Sequence, residues 1–344
     1  MISKESYTER HIKNIKDKYP QLDYPLIEKT IFALGLLEAL VKVEMPFIFK
    51  GGTNLLLILN EPYRLSTDID IIVDRDCDVN SYLDKVSLIY PFIRKEEDKR
   101  RGKNNIIKKH YKFLYKSPLD NNDEFSILLD VLFEENGYEK VIEKEIKSNF
   151  LITEGNNLYV KVPSIESLLG DKLTAFAPNT IGVPKEKEME VIKQFLDCAQ
   201  LIKEVNSFDE VLKTYRKIYK NEIQYRGINA SLEDCLMDTF NASLAIYTRG
   251  GINKKEFEYL LRGIKKISQH VFGFTINGET AYLYAADVML ACACLIKNIS
   301  YLNVEEQDIF TKKSLKVVNK TKKLNKEAFN KVAAAIRLLG LDKE

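Results

Sequence analysis

Histidine is almost missing from this 344-residue sequence: His11, His110 and His270 are the full complement. They lie far apart in the chain, so neither a histidine zinc site nor a Ser–His pair is expected. Cysteine is sparse as well. Cys77, Cys198, Cys235, Cys292 and Cys294 are odd in number and scattered, and the closest two stand two apart in an apolar run, which is no metal spacing. Reduced thiols in a cytoplasmic protein are the expectation. Neither sign of charge is in excess: 52 basic residues face 50 acidic ones, a net +2. That balance excludes a wholesale nucleic-acid coat protein and leaves room for local basic patches. Long apolar runs are lacking, and even AYLYAADVMLACACLI is too short and broken to span a bilayer. The opening MISKESYTERHIKNIKDKYP is charged throughout and does not read as a signal peptide. Prolines number only nine while 45% of residues are hydrophobic, so a folded core is expected instead of disorder.

The length suits two domains, or one with a large appendage. Helical periodicity covers 24–43, and MPFIFK reads as a short buried strand. GGT turns sharply, and TNLLLIL makes a short helix after the glycines. STDIDIIVD is a strand and DVNSYLDKVSLIY a helix. NIIKKHYKFLYK and EFSILLDVLFEE are strands joined by the turn cluster SPLDNNDE. Ser164 caps a helix through Phe176, closed by Pro178. Beyond it the chain is almost wholly helical, with segments near 188–204, 207–222, 230–248, 255–271, 279–298 and 325–340. The fold class is therefore α+β: a mixed sheet flanked by helices over 1–160, then a mostly α-helical C-terminal half over 161–344 that completes a cleft.

The chemistry is concentrated in FKGGTNLLLILNEPYRLSTDIDIIV. If the strand starts early enough, Arg64, Ser66, Asp68 and Asp70 project to one side, while Ile69, Ile71 and Val73 face the core. Two carboxylates so close repel unless a cation lies between them. Oxygen-only ligation of this kind suits magnesium, which takes one or two carboxylates plus substrate phosphates. Gly51 and Gly52 let backbone N–H groups approach a phosphate, the following helix points its positive end there, and Thr53 offers a hydroxyl. Asp130 interrupts the apolar run ILLDVLF, a costly placement unless the charge is coordinated or hydrogen-bonded. Its expected role is to hold a second metal and activate an incoming hydroxyl.

These motifs, in this order, resemble the DNA polymerase β-type nucleotidyltransferase fold, and more closely the AbiEii/AbiGii family of abortive-infection toxins. The similarity lies in FKGGTNL, RLSTDIDIIV, SLLGDKLTAFAPNTIGVP and the weaker KQFLDCAQL, over roughly residues 30 to 205. The resemblance implies nucleotidyl transfer from an NTP with Mg2+ or Mn2+, often onto RNA such as the tRNA acceptor end. It also implies a cognate antitoxin in a phage-defence pair. By position, Asp68 and Asp70 would be metal ligands, Ser66 and Thr53 phosphate contacts, and Lys172 a nucleotide contact; Asp197 matches the acid in the following helix. Where the family commonly has an arginine–aspartate pair, this chain has Lys193–Gln194, which leaves the nucleotide-binding roles of Lys193 and Asp197 open. By periodicity alone, Lys172 lies beside the buried stripe of its helix, where a solvated lysine would be ordinary, and Asp171 reads as a solvent-facing charge.

Two basic runs stand out. Arg94 to Lys116 carries ten basic residues against three acidic ones, and TKKSLKVVNKTKKLNK carries seven lysines and no acid. The first is read as an RNA-backbone contact, the second as a solvated loop. Tyr111, Phe113 and Tyr115 are expected in the core. Two classes remain open on the residues: a metal-dependent nucleotidyltransferase, or a non-catalytic nucleotide- or partner-binding protein on the same fold. The acceptor could also be a small-molecule or protein hydroxyl.

Overall fold

The computed structural model describes residues 1–98, 107–120, 123–156, 158–268 and 270–343. The chain forms two units. The first comprises Met1–Asn136, Val141–Ser164 and His270–Gly273. The second comprises Gly137–Lys140, Ile165–Gln269 and Phe274–Glu344.

The first unit is the mixed α/β part. It runs α1 (Glu9–Lys18), α2 (Tyr24–Lys42), β1 (Ile48–Lys50), α3 (Leu55–Ile58), β2 (Ile69–Val73), α4 (Val79–Val86), β3 (Phe92–Asp98), β4 (Lys108–Lys116), β5 (Glu124–Phe133), β6 (Val141–Glu145) and β7 (Tyr159–Pro163). Five strands form one sheet in the order β1-β2-β5-β4-β3, and β6 and β7 pair separately. Among the described residues only β2 and β5 are parallel neighbours; the other strand pairs are antiparallel. One face is a dense core. Ile69, Ile71, Ile127, Leu129, Val131, Tyr111, Phe113 and Tyr115 are all at most 1% exposed, so the three aromatic residues are packing groups as expected. β-Branched and aromatic side chains at every second position make these strands. Helix α2 is apolar around nearly its whole circumference and buried over Thr30–Leu40, the pattern of a core helix.

The second unit is helical: α5 (Ile165–Ala175), α6 (Glu188–Ile202), α7 (Phe208–Arg226), α8 (Leu232–Tyr247), α9 (Lys254–Ile267), α10 (Ala281–Ile296), α11 (Lys316–Asn319) and α12 (Lys326–Leu338). Helix α10 is the centre, packed against α6, α8 and α12. Cys292 and Cys294 are free, buried thiols on it. A glycine permits a close helix approach: a Cβ on Gly263 of α9 would stand 2.4 Å from the Glu188 carbonyl oxygen of α6. Among the described residues no helix is long and apolar enough to cross a membrane.

Candidate active site

The site is built on the turn after β1. Gly51 adopts φ +80°, a left-handed conformation that suits glycine. It also has no room for a side chain: a Cβ there would lie 2.1 Å from Asp70 Oδ2. A Cβ on Gly52 would lie 2.7 Å from Arg64 Nη2 and 3.0 Å from Ser66 Oγ. The carboxylate of Asp70, the guanidinium of Arg64 and the hydroxyl of Ser66 are thus packed directly on bare backbone. Arg64 is 4% exposed and its segment is pinned by a bridge to Val271. These residues converge, although not by strand alternation: β2 begins only at Ile69.

Thr53 takes a different part from the one expected. It is fully buried, and its hydroxyl donates to the Asp68 carbonyl oxygen at 2.6 Å. It ties the turn to the start of β2, so its proton is already committed within the protein. The following helix is also shorter than expected. Leu55–Ile58 is one turn, too short to build an appreciable macrodipole, so the electropositive helix end foreseen there is not formed. Next to Thr53, the side chain of Asn54 is fully buried with neither amide atom hydrogen-bonded.

The acids lie on the sheet. Asp70 on β2 is in register with Asp130 on the parallel β5, and with Lys50 on β1. Neighbouring strands run about 4.8 Å apart, and register partners share a face. Asp130 is in turn in register with His110 on β4, and His110 with Asp98 on β3. A row of polar residues therefore crosses all five strands, opposite the aromatic core face, with the two acids at its middle. Asp68 stands exposed just before β2, its Oδ1 3.4 Å from the Thr67 hydroxyl. His110 was overlooked by sequence reasoning. Its Nδ1 lies 2.7 Å from Asp130 Oδ1. The signal was present in the hairpin: Lys116 pairs with Glu124 across the turn, and counting six residues outward on each strand reaches His110 and Asp130.

This donor set can be tested against a divalent cation. Among the described residues, no three His, Cys, Asp or Glu side chains form a ready-made metal cage. Two adjacent carboxylates are nevertheless what magnesium takes from protein, with water and phosphate oxygens completing its shell. The pair Asp70 and Asp130 fits that requirement.

The remaining expected residues belong to the helical unit. Lys172 on α5 is 5% exposed, not solvated; its Nζ lies 2.8 Å from Asp197 Oδ2 on α6 and 3.1 Å from Gln194 Oε1. A lysine is tolerated in a helix core when a carboxylate compensates it, which periodicity could not reveal. Lys193 pairs with Glu190 at 2.7 Å on the outer side of the same helix. Asp171 is half-buried and accepts from the Tyr138 hydroxyl at 2.8 Å, so it is a fixed group and not a free surface charge. The segment APNTIGVP is clamped onto α8: Asp238 accepts from Asn179 N at 2.7 Å, Asn179 Nδ2 at 2.6 Å and the Thr180 hydroxyl at 2.9 Å. Burial pushes the Asp238 carboxyl above the usual aspartate range despite these donors.

Of the first basic run, residues 99–106 lie outside those described. Arg94 and Lys112 of that run are paired with Glu124 and Asp98. The second run folds as short helical turns, on which Lys322 donates to the Gln307 carbonyl, leading into α12, whose first residue Lys326 pairs with Glu306.

A glycine turn packed on an aspartate, beside a second aspartate on a parallel strand, thus stands on a mixed sheet flanked by helices. The chain belongs to the family described as the nucleotidyl transferase AbiEii toxin of type IV toxin–antitoxin systems, whose model matches residues 35–260. No individual curated protein matches it.

Proposed function

We propose that this protein transfers a nucleoside monophosphate from an NTP to an RNA acceptor, tRNA foremost, as the toxin of a toxin–antitoxin pair. The observation that carries the reading is the in-register placement of Asp70 and Asp130, with Asp70 packed on Gly51. The bare backbone of Gly51 and Gly52 lets Asp70, Arg64 and Ser66 close onto the turn, and Arg64 and Ser66 there would hold the negative charge of the phosphates. Asp70 and Asp130, with Asp68 as a further carboxylate, would hold Mg2+ or Mn2+, which when bound neutralises charge on the reacting phosphate. The acceptor hydroxyl attacks the α-phosphorus in line, forming the new O–P bond as the α–β bridge breaks and pyrophosphate leaves. Asp130 takes the hydroxyl proton at Oδ2, since Oδ1 faces His110. Lys172 and Asp197 enter this reading through the family resemblance.

Labelled NTPs incubated with total tRNA test it, comparing wild type with Asp68→Ala and Asp70→Asn. Loss of transfer on the order of 10²–10³-fold is expected from removing one charge-stabilising group. Equal labelling by all three proteins overturns the proposal. Label entering only the protein or small-molecule fraction of a cell extract would overturn the acceptor assignment and leave the transfer chemistry standing. A cognate antitoxin should restore growth when co-expressed.

A further inference from the structure

We propose that His110 is a positioning residue that holds Asp130 facing Asp70, an inference that rests on the carboxylate reading above. An ionised carboxylate can only accept, so the 2.7 Å contact is Nδ1–H donating to Asp130 Oδ1. The geometry is that of a charge-assisted bond, and it comes from the neighbouring rung of the same ladder. The His110 side chain is 16% exposed while that of Asp130 is 38% exposed, so the ring is the more confined partner.

The contact matters because of what lies on the other side of Asp130. Asp70 is its register partner on β2, and like charges side by side repel. The terminal torsion of an aspartate is broad, so an unheld Asp130 would turn its carboxylate away from Asp70. His110 opposes that rotation by fixing Oδ1 on the β4 side. Oδ2 then remains toward β2, where a cation or an incoming hydroxyl would be met. Lys50 flanks Asp70 on the far strand, so each acid of the pair has a basic neighbour on its outer side. A histidine merely satisfied at the surface would need neither this register nor this partner.

The experiment uses the full chain and Mn2+ alone, without nucleotide, following free Mn2+ by its electron paramagnetic resonance signal. His110→Phe keeps the ring shape and removes the donor. His110→Asn keeps an N–H one bond beyond Cγ, where Nδ1 lies. Outer-shell partners of metal ligands are worth about 10–100-fold in affinity. His110→Phe should weaken Mn2+ binding by about tenfold, with His110→Asn returning to within about threefold of wild type. In an Asp130→Asn background, His110→Phe should change affinity by less than about twofold, because the pair acts as a unit. That cycle compares two folded proteins, so a general packing defect would show as an undiminished loss. Wild-type binding with an unchanged His110→Phe overturns the His110 inference alone, as does equal loss in the Phe and Asn variants. Absence of Mn2+ binding in the wild type overturns both the inference and the carboxylate reading beneath it.

Discussion

Gly51 and Gly155 share a left-handed backbone, with φ of +80° and +61°, yet their surroundings differ completely. Nothing lies within 4 Å of a Cβ built on Gly155, whereas on Gly51 that atom runs into the Asp70 carboxylate. Gly155→Ala should therefore cost only the conformational penalty, about 1 kcal/mol. Gly51→Ala should cost more than that in urea unfolding, because the methyl overlaps the Asp70 side chain as well as straining the backbone, and by displacing Asp70 should lower NMP transfer about 100-fold. Comparable transfer by both alanine variants would show that Asp70 does not depend on the bare backbone. Thr53 and Asn54 make a second contrast. Thr53→Val removes the hydroxyl that donates to the Asp68 carbonyl and should lose about 0.5–1.5 kcal/mol. Asn54→Leu replaces a buried amide lacking partners with an apolar group of similar size and should gain about 1–2 kcal/mol; a destabilised Asn54→Leu would mean that the amide is satisfied in solution. The glycines and aspartates could be read from the sequence because their types announce chemistry. The inward turn of Thr53 could not, since a hydroxyl after two glycines serves a phosphate and a carbonyl equally well.

Strands and helices with a buried face announced themselves. The β4–β5 hairpin alternates so regularly that its turn fixes the pairing of every residue, His110 and Asp130 included. Strands β3 and β6 escaped because they lack that alternation, and β7 because its alternation, exposed Tyr159 and Lys161 against buried Val160 and Val162, covers only a few residues. β3 is an edge carrying Arg94, Lys95, Glu96 and Glu97, and such charges blunt edge pairing while erasing the apolar period. The helix pair α5–α6 shows the same limit from another side. Lys172 and Asp197 are joined in the core with side-chain exposures of 6% and 0%, a contact between two helices that neither periodicity contains. Asp197→Leu alone leaves a buried lysine uncompensated and should cost about 3–5 kcal/mol. Lys172→Met with Asp197→Leu should recover most of it, because well-packed apolar residues replace buried ion pairs at little cost. Chemical unfolding of the single and double variants decides this, and a double variant as unstable as the single one would show that the pair organises more than itself.

At the level of the folded chain, the two units are not two continuous halves. Residues 270–273 belong to the α/β unit although helical segments flank them on both sides. Phe272 N donates to the Tyr63 carbonyl at 2.7 Å, and its ring meets Tyr19 at 5.5 Å and Phe150 at 5.9 Å. Val271 bridges to Arg64, the residue whose guanidinium covers Gly52. A four-residue excursion between α9 and α10 carries no compositional mark, so a boundary drawn on composition alone passes over it. Its consequence is specific: the segment closes an aromatic cluster and steadies one wall of the glycine turn. Phe272→Ala should cost about 3–5 kcal/mol, seen as faster hydrogen exchange at the Tyr19 amide, which donates to Ile15 O at 2.9 Å in the last turn of α1. A fragment ending at Ser164 should show the same weakening, since it lacks both Val271 and Phe272. If that fragment instead exchanges as slowly as the full chain, the returning segment is a passenger and the α/β unit is complete without it.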